Sequence, residues 1–529
     1  MLIRNVLARL SPTERKIIFI AVATGVLAIA IILIFIVREK TGIVPDRGGI
    51  LREGMVGQPA RILPIIATSN TDQALSRLVF SPLRDLLDKM EPVDDISSLP
   101  SSQWRVRLKE NLYWHDKEKI TADDVIFTIS KIQELGSASL EYPAWRGVRV
   151  ERVSELEFEL TTPTPYVFFE QTINSLQPIP KHIFEPIPFE QWSRSKYLKE
   201  PVGSGSFKFK NLEEDSSGFI KSLEFAAVHP HPKEAYLDRV SIIFFKTTEE
   251  AGANFENAHI DAFMDDGSTP ITLRRESKKI TFREPTIYAI YFNPGINESL
   301  RNKQVRKYLG EKLPVSLIVK NIFGESAVLT DGPILPGTSG YSPSYSKSAA
   351  PTTTLEDSLS IKLTVPKTDA LVLLGEQIKT EWEKTGIKVY LDIQDLKDIV
   401  AKTIPNRAYE ALLFGITENN PEDIFSFWHS SMRFSPGLNL SLYTSNSVDK
   451  DLEAIRTETD PAKRAELLLD IQEAIRNDAP AIFLFSPNIT YHTVRNLEGI
   501  PEGALLKERA DYLDTISGWY RGTKREWKD

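Results

Sequence analysis

The chain has 529 residues, 41% of them hydrophobic and 26% charged, an ordinary globular composition with room for about three domains at ~150 residues each. It contains no cysteine, which excludes disulfides, thiolate catalysis, cysteine-ligated zinc and iron–sulfur clusters. A net charge of −8 argues against a nucleic-acid partner, because binding a phosphate backbone needs concentrated Lys and Arg.

Residues 17–37, IIFIAVATGVLAIAIILIFIV, run for 21 positions without a charge, and at 1.5 Å per helical residue they reach about 31 Å, the thickness of a bilayer core. This predicts one membrane-spanning helix, with a buried core helix as the alternative. A cleaved signal peptide has a shorter apolar stretch and a small-residue cleavage site, whereas Arg38-Glu39-Lys40 follows here; an uncleaved signal anchor is the better reading. Arg4, Arg9, Arg15 and Lys16 precede the span against Glu14 alone, so the positive-inside bias puts the N-terminus, residues 1–16, in the cytoplasm and the bulk outside. Residues 1–40 carry six basic and two acidic side chains, which leaves a net −12 on the remainder. Residues 38–49, with Pro45, Gly48 and Gly49, read as a short linker.

Beyond the linker, strand-like runs at 104–108, 156–160, 207–209 and 240–245 alternate with helical stretches such as 121–134, which predicts a mixed α/β protein. Residues 361–365 and 387–391 read as strands flanking a helix in which Leu371, Leu374, Ile378 and Trp382 recur every three or four positions. That strand–helix–strand unit predicts parallel pairing with a right-handed crossover, and so a second α/β lobe. A helical stretch at 447–476 leads into the apolar run 481–485, and the Ser/Thr/Pro-rich stretch 338–354 reads as a surface loop.

No catalytic constellation emerges. His229-Pro230-His231-Pro232 reads as a loop, with metal ligation as the alternative, and neither H-E-x-x-H nor a phosphate-cradling glycine loop occurs. Ser204 lacks the first glycine of a nucleophile elbow, Val202 standing in its place, so Gly203-Ser204-Gly205 reads as a turn into a strand. Glu418, Glu422 and Asp423 form an acidic cluster that reads as solvated loop charge, with acid–base work as the alternative. No catalytic residue, metal ligand or cofactor is assigned.

Trp104-Arg105-Val106-Arg107-Leu108, Trp114-His115-Asp116 and Ile120-Thr121-Ala122-Asp123-Asp124-Val125 resemble, in order, a strand, a His-Asp turn and a Thr-capped helix of the family 5 extracytoplasmic solute-binding proteins of ABC importers. Thr121 suits an N-cap, and Asp123 and Asp124 suit the positive end of that helix. Lys117 departs from the family's glycine. Pro201-Val202-Gly203-Ser204-Gly205, Tyr288-Ala289-Ile290-Tyr291-Phe292-Asn293, Gln304-Val305-Arg306-Lys307-Tyr308-Leu309, Gly332-Pro333-Ile334-Leu335-Pro336-Gly337, Phe427-Trp428-His429-Ser430-Ser431 and Asn439-Leu440-Ser441-Leu442-Tyr443 are similar to later family segments, so the resemblance spans about residues 48–500.

The resemblance implies a two-lobed, cleft-closing α/β fold of the periplasmic-binding-protein type (type II, cluster C) with an extra subdomain, here preceded by one transmembrane helix. It implies lobe I at 50–282 with an inserted subdomain at about 76–195, lobe II at 283–480, and a return to lobe I at 481–529. Peptide-binding members hold the ligand's amino terminus with an aspartate; Asn419 matches that position, so the charge is lost unless Glu418 or Asp423 supplies it. The implied cleft residues are Asn419, Asp423, Trp428, Asn439 and Tyr443, with Tyr288 and Tyr341 as weaker candidates; Trp428 and Tyr443 read equally as core, and Asn439 as a turn cap. The implied function is capture of oligopeptides by a membrane-anchored extracytoplasmic monomer that delivers them to ABC permease subunits, with no cofactor and no nucleic acid. A glycan or other solute, a ligand-free surface scaffold and an acid–base hydrolase are the alternatives.

Overall fold

The computed structural model describes residues 11–93, 100–265, 267, 271–343, 359–418 and 420–527. Its first element is the helix Pro12–Lys40, opened by a reciprocal cap in which the Ser11 amide and hydroxyl both donate to Glu14. The apolar window of this helix is wholly exposed, and by length and composition the helix is apolar enough to cross a membrane.

Its last turn runs straight into the strand Thr41–Asp46, which pairs antiparallel with the C-terminal strand Gly522–Trp527. The segment expected to be a free linker is therefore hydrogen-bonded structure. Only residues 47–49 turn, with Gly48 at φ 125° and Gly49 at φ 96°, backbone that a Cβ would strain. Glycine and proline signalled flexibility, but a partner strand some 480 residues away overrode them.

Two sheet halves follow. In one, Ala262–Asp265, Ile50–Val56, Arg239–Phe245, Ile220–Ala227 and Phe207–Glu214 are neighbours in that order; in the other, Lys388–Gln394, Ser360–Pro366, Ala411–Thr417 and Thr286–Phe292 are neighbours. The strand Ala481–Thr493 belongs to both. Its first residues pair with Thr286–Phe292, and its last with Lys278–Arg283 and Ala262–Asp265. Its partners change from one half to the other between Pro487 and Asn488, and Glu284-Pro285 joins the strands Lys278–Arg283 and Thr286–Phe292, which belong to different halves.

The predicted strand–helix–strand unit is present. Ser360–Pro366 and Lys388–Gln394 pair in parallel, and the helix Asp369–Glu383 between them buries Leu371, Leu374, Ile378 and Trp382. Ile287, Ala289 and Tyr291 of the strand Thr286–Phe292 join one apolar cluster, while Ile290 and Phe292 join another on the opposite face, the two-sided burial of a central strand. A third cluster fills lobe I and extends beneath a separate four-stranded antiparallel sheet formed by Leu87–Pro92, Gln103–Leu108, Glu157–Thr161 and Arg149–Arg152.

The motif residues act locally. Thr121 and Asp124 form the reciprocal cap of the helix Ala122–Leu135. His115 is held neutral: burial pushes its pKa down to about 4, its Nε2 lies 2.9 Å from the Gly205 carbonyl, and its Nδ1 accepts from the Gly203 amide at 3.2 Å. Ser204 is buried, and its hydroxyl accepts from the Ser81 amide at 3.1 Å. Gly203 is obligatory because a Cβ there would stand 2.2 Å from the Val79 carbonyl oxygen. Gly203→Ala is expected to cost roughly 1–3 kcal/mol through this overpacking, read as a lower urea midpoint with an unchanged slope. A midpoint unchanged from wild type would refute the close approach.

Candidate functional site

Between the lobes lies a cavity of about 1550 Å³. One wall belongs to lobe I and centres on Arg77, from the helix Asn70–Val79. Arg77 pairs with Glu508 at 3.0 Å, Asp511 at 3.2 Å and Asp514 at 3.8 Å, and Arg84 reaches Asp514 at 2.7 Å. The three acids stand at intervals of three on and just before the 3₁₀ helix Arg509–Gly518, and in a 3₁₀ helix residues i and i+3 eclipse. That spacing gathers them on one face toward Arg77. Burial alone would lower the Arg77 pKa, but the charges of Asp514, Asp511, Glu508 and Glu141 together raise it. Burial raises Glu141 and Asp511, and neighbouring acids add to that.

Lobe II supplies an aromatic wall: Tyr288, Phe323, Phe414 and Phe485. Tyr288 stacks on Phe485 with centroids 4.8 Å apart and planes 7° from parallel. Pro285 and Thr286, from the crossing, also line the cavity. Glu284 ties that crossing to lobe I through its carboxylate, which accepts from Arg509 at 2.7 Å, and its amide donates to the Pro487 carbonyl of the other crossing strand at 3.1 Å.

Of the described residues that the resemblance places in the cleft, Tyr288 alone lines this cavity. Trp428 is 2% exposed and packs among Tyr291, Tyr443 and Phe483. Asn439 is fully buried; its amide donates to the carbonyls of Trp428, His429 and Tyr443 and its oxygen accepts from the Tyr443 amide. Tyr443 donates to Asp478 at 2.8 Å. These three lie in the interior of lobe II and outside the cavity lining, as the core and turn-cap readings of the sequence have it: apolar area and a fully satisfied amide draw them inward. Tyr341 also packs against the lobe II interior, away from the cavity lining. Asn419 lies outside the described residues.

Asp423 lies behind Tyr166, which lines the cavity. It accepts from the Tyr166 hydroxyl at 2.7 Å and stands 3.4 Å from Arg456 Nε, a distance of charge attraction without hydrogen-bond alignment. The Arg456 guanidinium lies over Tyr166 at 5.0 Å and Phe425 at 4.7 Å. The Val167 amide donates to the Arg456 carbonyl at 2.9 Å, and Phe168 is buried in the lobe II cluster. Residues 166–168, arising after the four-stranded sheet of lobe I, therefore bridge directly to lobe II. Glu422 pairs with Arg464 at 3.0 Å. Glu418 is 3% exposed, its Oε2 has no hydrogen-bond partner among the described residues, and burial raises its pKa well above the ordinary value. Asp423 and Glu422 are thus held in a bridge and an ion pair, and Glu418 is buried apart from both partners. His231 bonds the Ser204 carbonyl, and among the described residues no group of three side chains suits a metal ion.

The fold has clear relatives. The substrate-binding protein CtaP of Listeria monocytogenes superposes with a TM-score of 0.74 at 22% identity, over 90% of this chain and all of that one. The oligopeptide-binding protein AppA of Bacillus subtilis, solved in complex with a nonapeptide, superposes with a TM-score of 0.68 at 21% identity, over 90% of this chain and 100% of that one. In sequence, AppA of Bacillus subtilis is 25% identical over 508 residues, covering 87% of this chain and 90% of the relative. These structures share the two-lobed, mixed α/β periplasmic-binding architecture described above. The model of the bacterial extracellular solute-binding proteins, family 5, matches residues 97–433, more than half of the chain, and the chain belongs to that family.

Proposed function

We propose that this chain is a membrane-anchored extracytoplasmic receptor that captures oligopeptides between its lobes and delivers them to an ABC permease. The observation that carries the reading is the cavity, whose volume of about 1550 Å³ exceeds the ~300–1,000 Å³ that holds a drug-sized ligand and leaves room for several amino-acid residues. Its walls suit such a ligand. The aromatic side offers faces for apolar side chains, and the charged side offers the carboxylates of Glu141, Glu508, Asp511 and Asp514 and the guanidinium groups of Arg77, Arg84 and Arg509 for polar ends. Ligand binding favours the closed arrangement because only that arrangement touches the ligand with both lobes. Tyr288 is assigned a direct ligand contact, and lobe II the stretch from Thr286 to the middle of the strand Ala481–Thr493. The helix Pro12–Lys40 crosses the bilayer with its N-terminus cytoplasmic, following the basic residues that precede it.

Native mass spectrometry of the full chain, purified without refolding, tests the reading. The expected result is a heterogeneous mass increment that fragments into amino-acid residues. A peptide at a hundred times its Kd should stabilise the fold by about 2.7 kcal/mol, and Tyr288→Ala should weaken that gain. A hexose-type increment, or a peptide panel without any thermal gain, would sink the peptide assignment.

A further inference from the structure

The ribbon that joins the two chain ends has a composition unlike the rest of the ectodomain. Trp527 is 68% exposed and lies opposite Thr41, the first residue after the helix Pro12–Lys40. Residues paired across an antiparallel ladder share a face, and so do positions two apart along a strand. Trp527, Arg525 and Ile43, the last 66% exposed, therefore stand on one face. Arg525 donates across the ribbon to the Thr41 hydroxyl at 3.0 Å, which holds its stem beside Trp527. Lys524 and Glu526 pair on the other face at 2.7 Å.

Depth follows from geometry. The charge-free stretch ends at Val37, and Arg38, Glu39 and Lys40 complete the helix, which carries the chain about 4.5 Å further at 1.5 Å per residue. The headgroup layer is about 5–8 Å deep on each side of the hydrocarbon. Thr41 and its partner Trp527 thus start within that layer, whatever angle the ribbon then takes. Charge points the same way: Arg38, Lys40, Lys524 and Arg525 stand against Glu39 and Glu526, an excess of base at the membrane end of an ectodomain that carries net −12.

We propose that the C-terminal strand is a second membrane contact, with Trp527 and Ile43 seated in the headgroup layer and Arg525 paired to anionic phospholipid. Tryptophan favours that layer because its ring is apolar and its N–H is polar, and basic side chains close to an anionic leaflet are attracted within a Debye length. The inference rests on the membrane-spanning reading of the first helix. What it adds is orientation. One helix leaves the ectodomain free to swing, whereas a helix and a seated ribbon fix which side of the molecule faces the bilayer.

The absence of cysteine makes one introduced thiol unique. Full-length Glu526→Cys, carrying an environment-sensitive fluorophore, would be placed in discs of phosphatidylcholine with phosphatidylglycerol, and its quenching by headgroup spin-labelled lipid measured. Strong quenching is expected, falling by at least half when Trp527→Ala and Arg525→Glu are added, and weaker in phosphatidylcholine alone. Protein that enters the discs but shows weak quenching, or quenching indifferent to those two substitutions, would overturn the ribbon contact and leave the helix anchor standing. Equal quenching in both lipids would overturn the anionic partner. Protein that fails to enter discs would overturn the anchor and the ribbon with it.

Discussion

Arg77→Met is expected to lower stability by about 3–5 kcal/mol at neutral pH, the range for stripping one partner from a buried ion pair. The substitution preserves the apolar stem and removes the guanidinium that Glu508, Asp511 and Asp514 share. Those carboxylates would then face one another with Arg84 alone, which reaches only Asp514. Like charges in a partly dry wall raise one another's pKa, and protonation relieves the repulsion. The deficit should therefore shrink as pH falls from about 7 to about 4, close to the ordinary carboxylate range. Urea midpoints at both pH values read it directly, and a loss independent of pH would mean that packing, not charge, is what Arg77 provides. Asp511→Asn should recover part of the loss.

The second large effect concerns Glu53, on the strand Ile50–Val56. Its carboxylate is 1% exposed and accepts from the hydroxyls of Tyr512 and, at 3.2 Å, Tyr491. Burial raises its pKa to about 7 from 4.5, the two hydroxyls opposing the rise. The folded protein thus holds the proton more tightly than the unfolded chain. The stability this contributes is fully present below pH 4.5 and is lost as pH rises to about 7, a total of about 3 kcal/mol at ~1.36 kcal/mol per pKa unit. Glu53→Gln keeps an acceptor and a donor and abolishes the titration. The variant should match wild type within ~1 kcal/mol near pH 4.5 and exceed it by about 3 kcal/mol at pH 8. Parallel stability curves for the two proteins across that window would show that Glu53 does not titrate there.

What could be read from the sequence was what neighbouring residues decide among themselves. The apolar span, the Thr121–Asp124 cap and the period that buries Leu371, Leu374, Ile378 and Trp382 need only local spacing. The cavity needed more. Its charged wall joins Arg77, Glu141 and Asp511 from three remote stretches of chain, and no periodicity links them. One signal was available: acids at 508, 511 and 514 fit the face of a 3₁₀ helix. Trp428, Asn439 and Tyr443 are of residue types that serve ligands and cores alike, and the buried side of lobe II claims all three. Asp423 belonged to a bridge whose other half, Tyr166, lies 257 positions away.

The strand Ala481–Thr493 has a mechanical consequence. Because it is hydrogen-bonded into both sheet halves, a change in the angle between the lobes would twist this strand and its partner, and would also strain the contacts of residues 166–168 with lobe II. The register slips between Tyr288 and Ala289 as they face Phe485 and Phe483, and a bulge of this kind is where a ladder twists most readily. Tyr288 and Phe485 are also the stacked pair on the cavity wall. A molecule lying against that pair would bear on the pivot itself, so that occupancy and lobe angle would be set by the same two rings, without any relay through the protein between them.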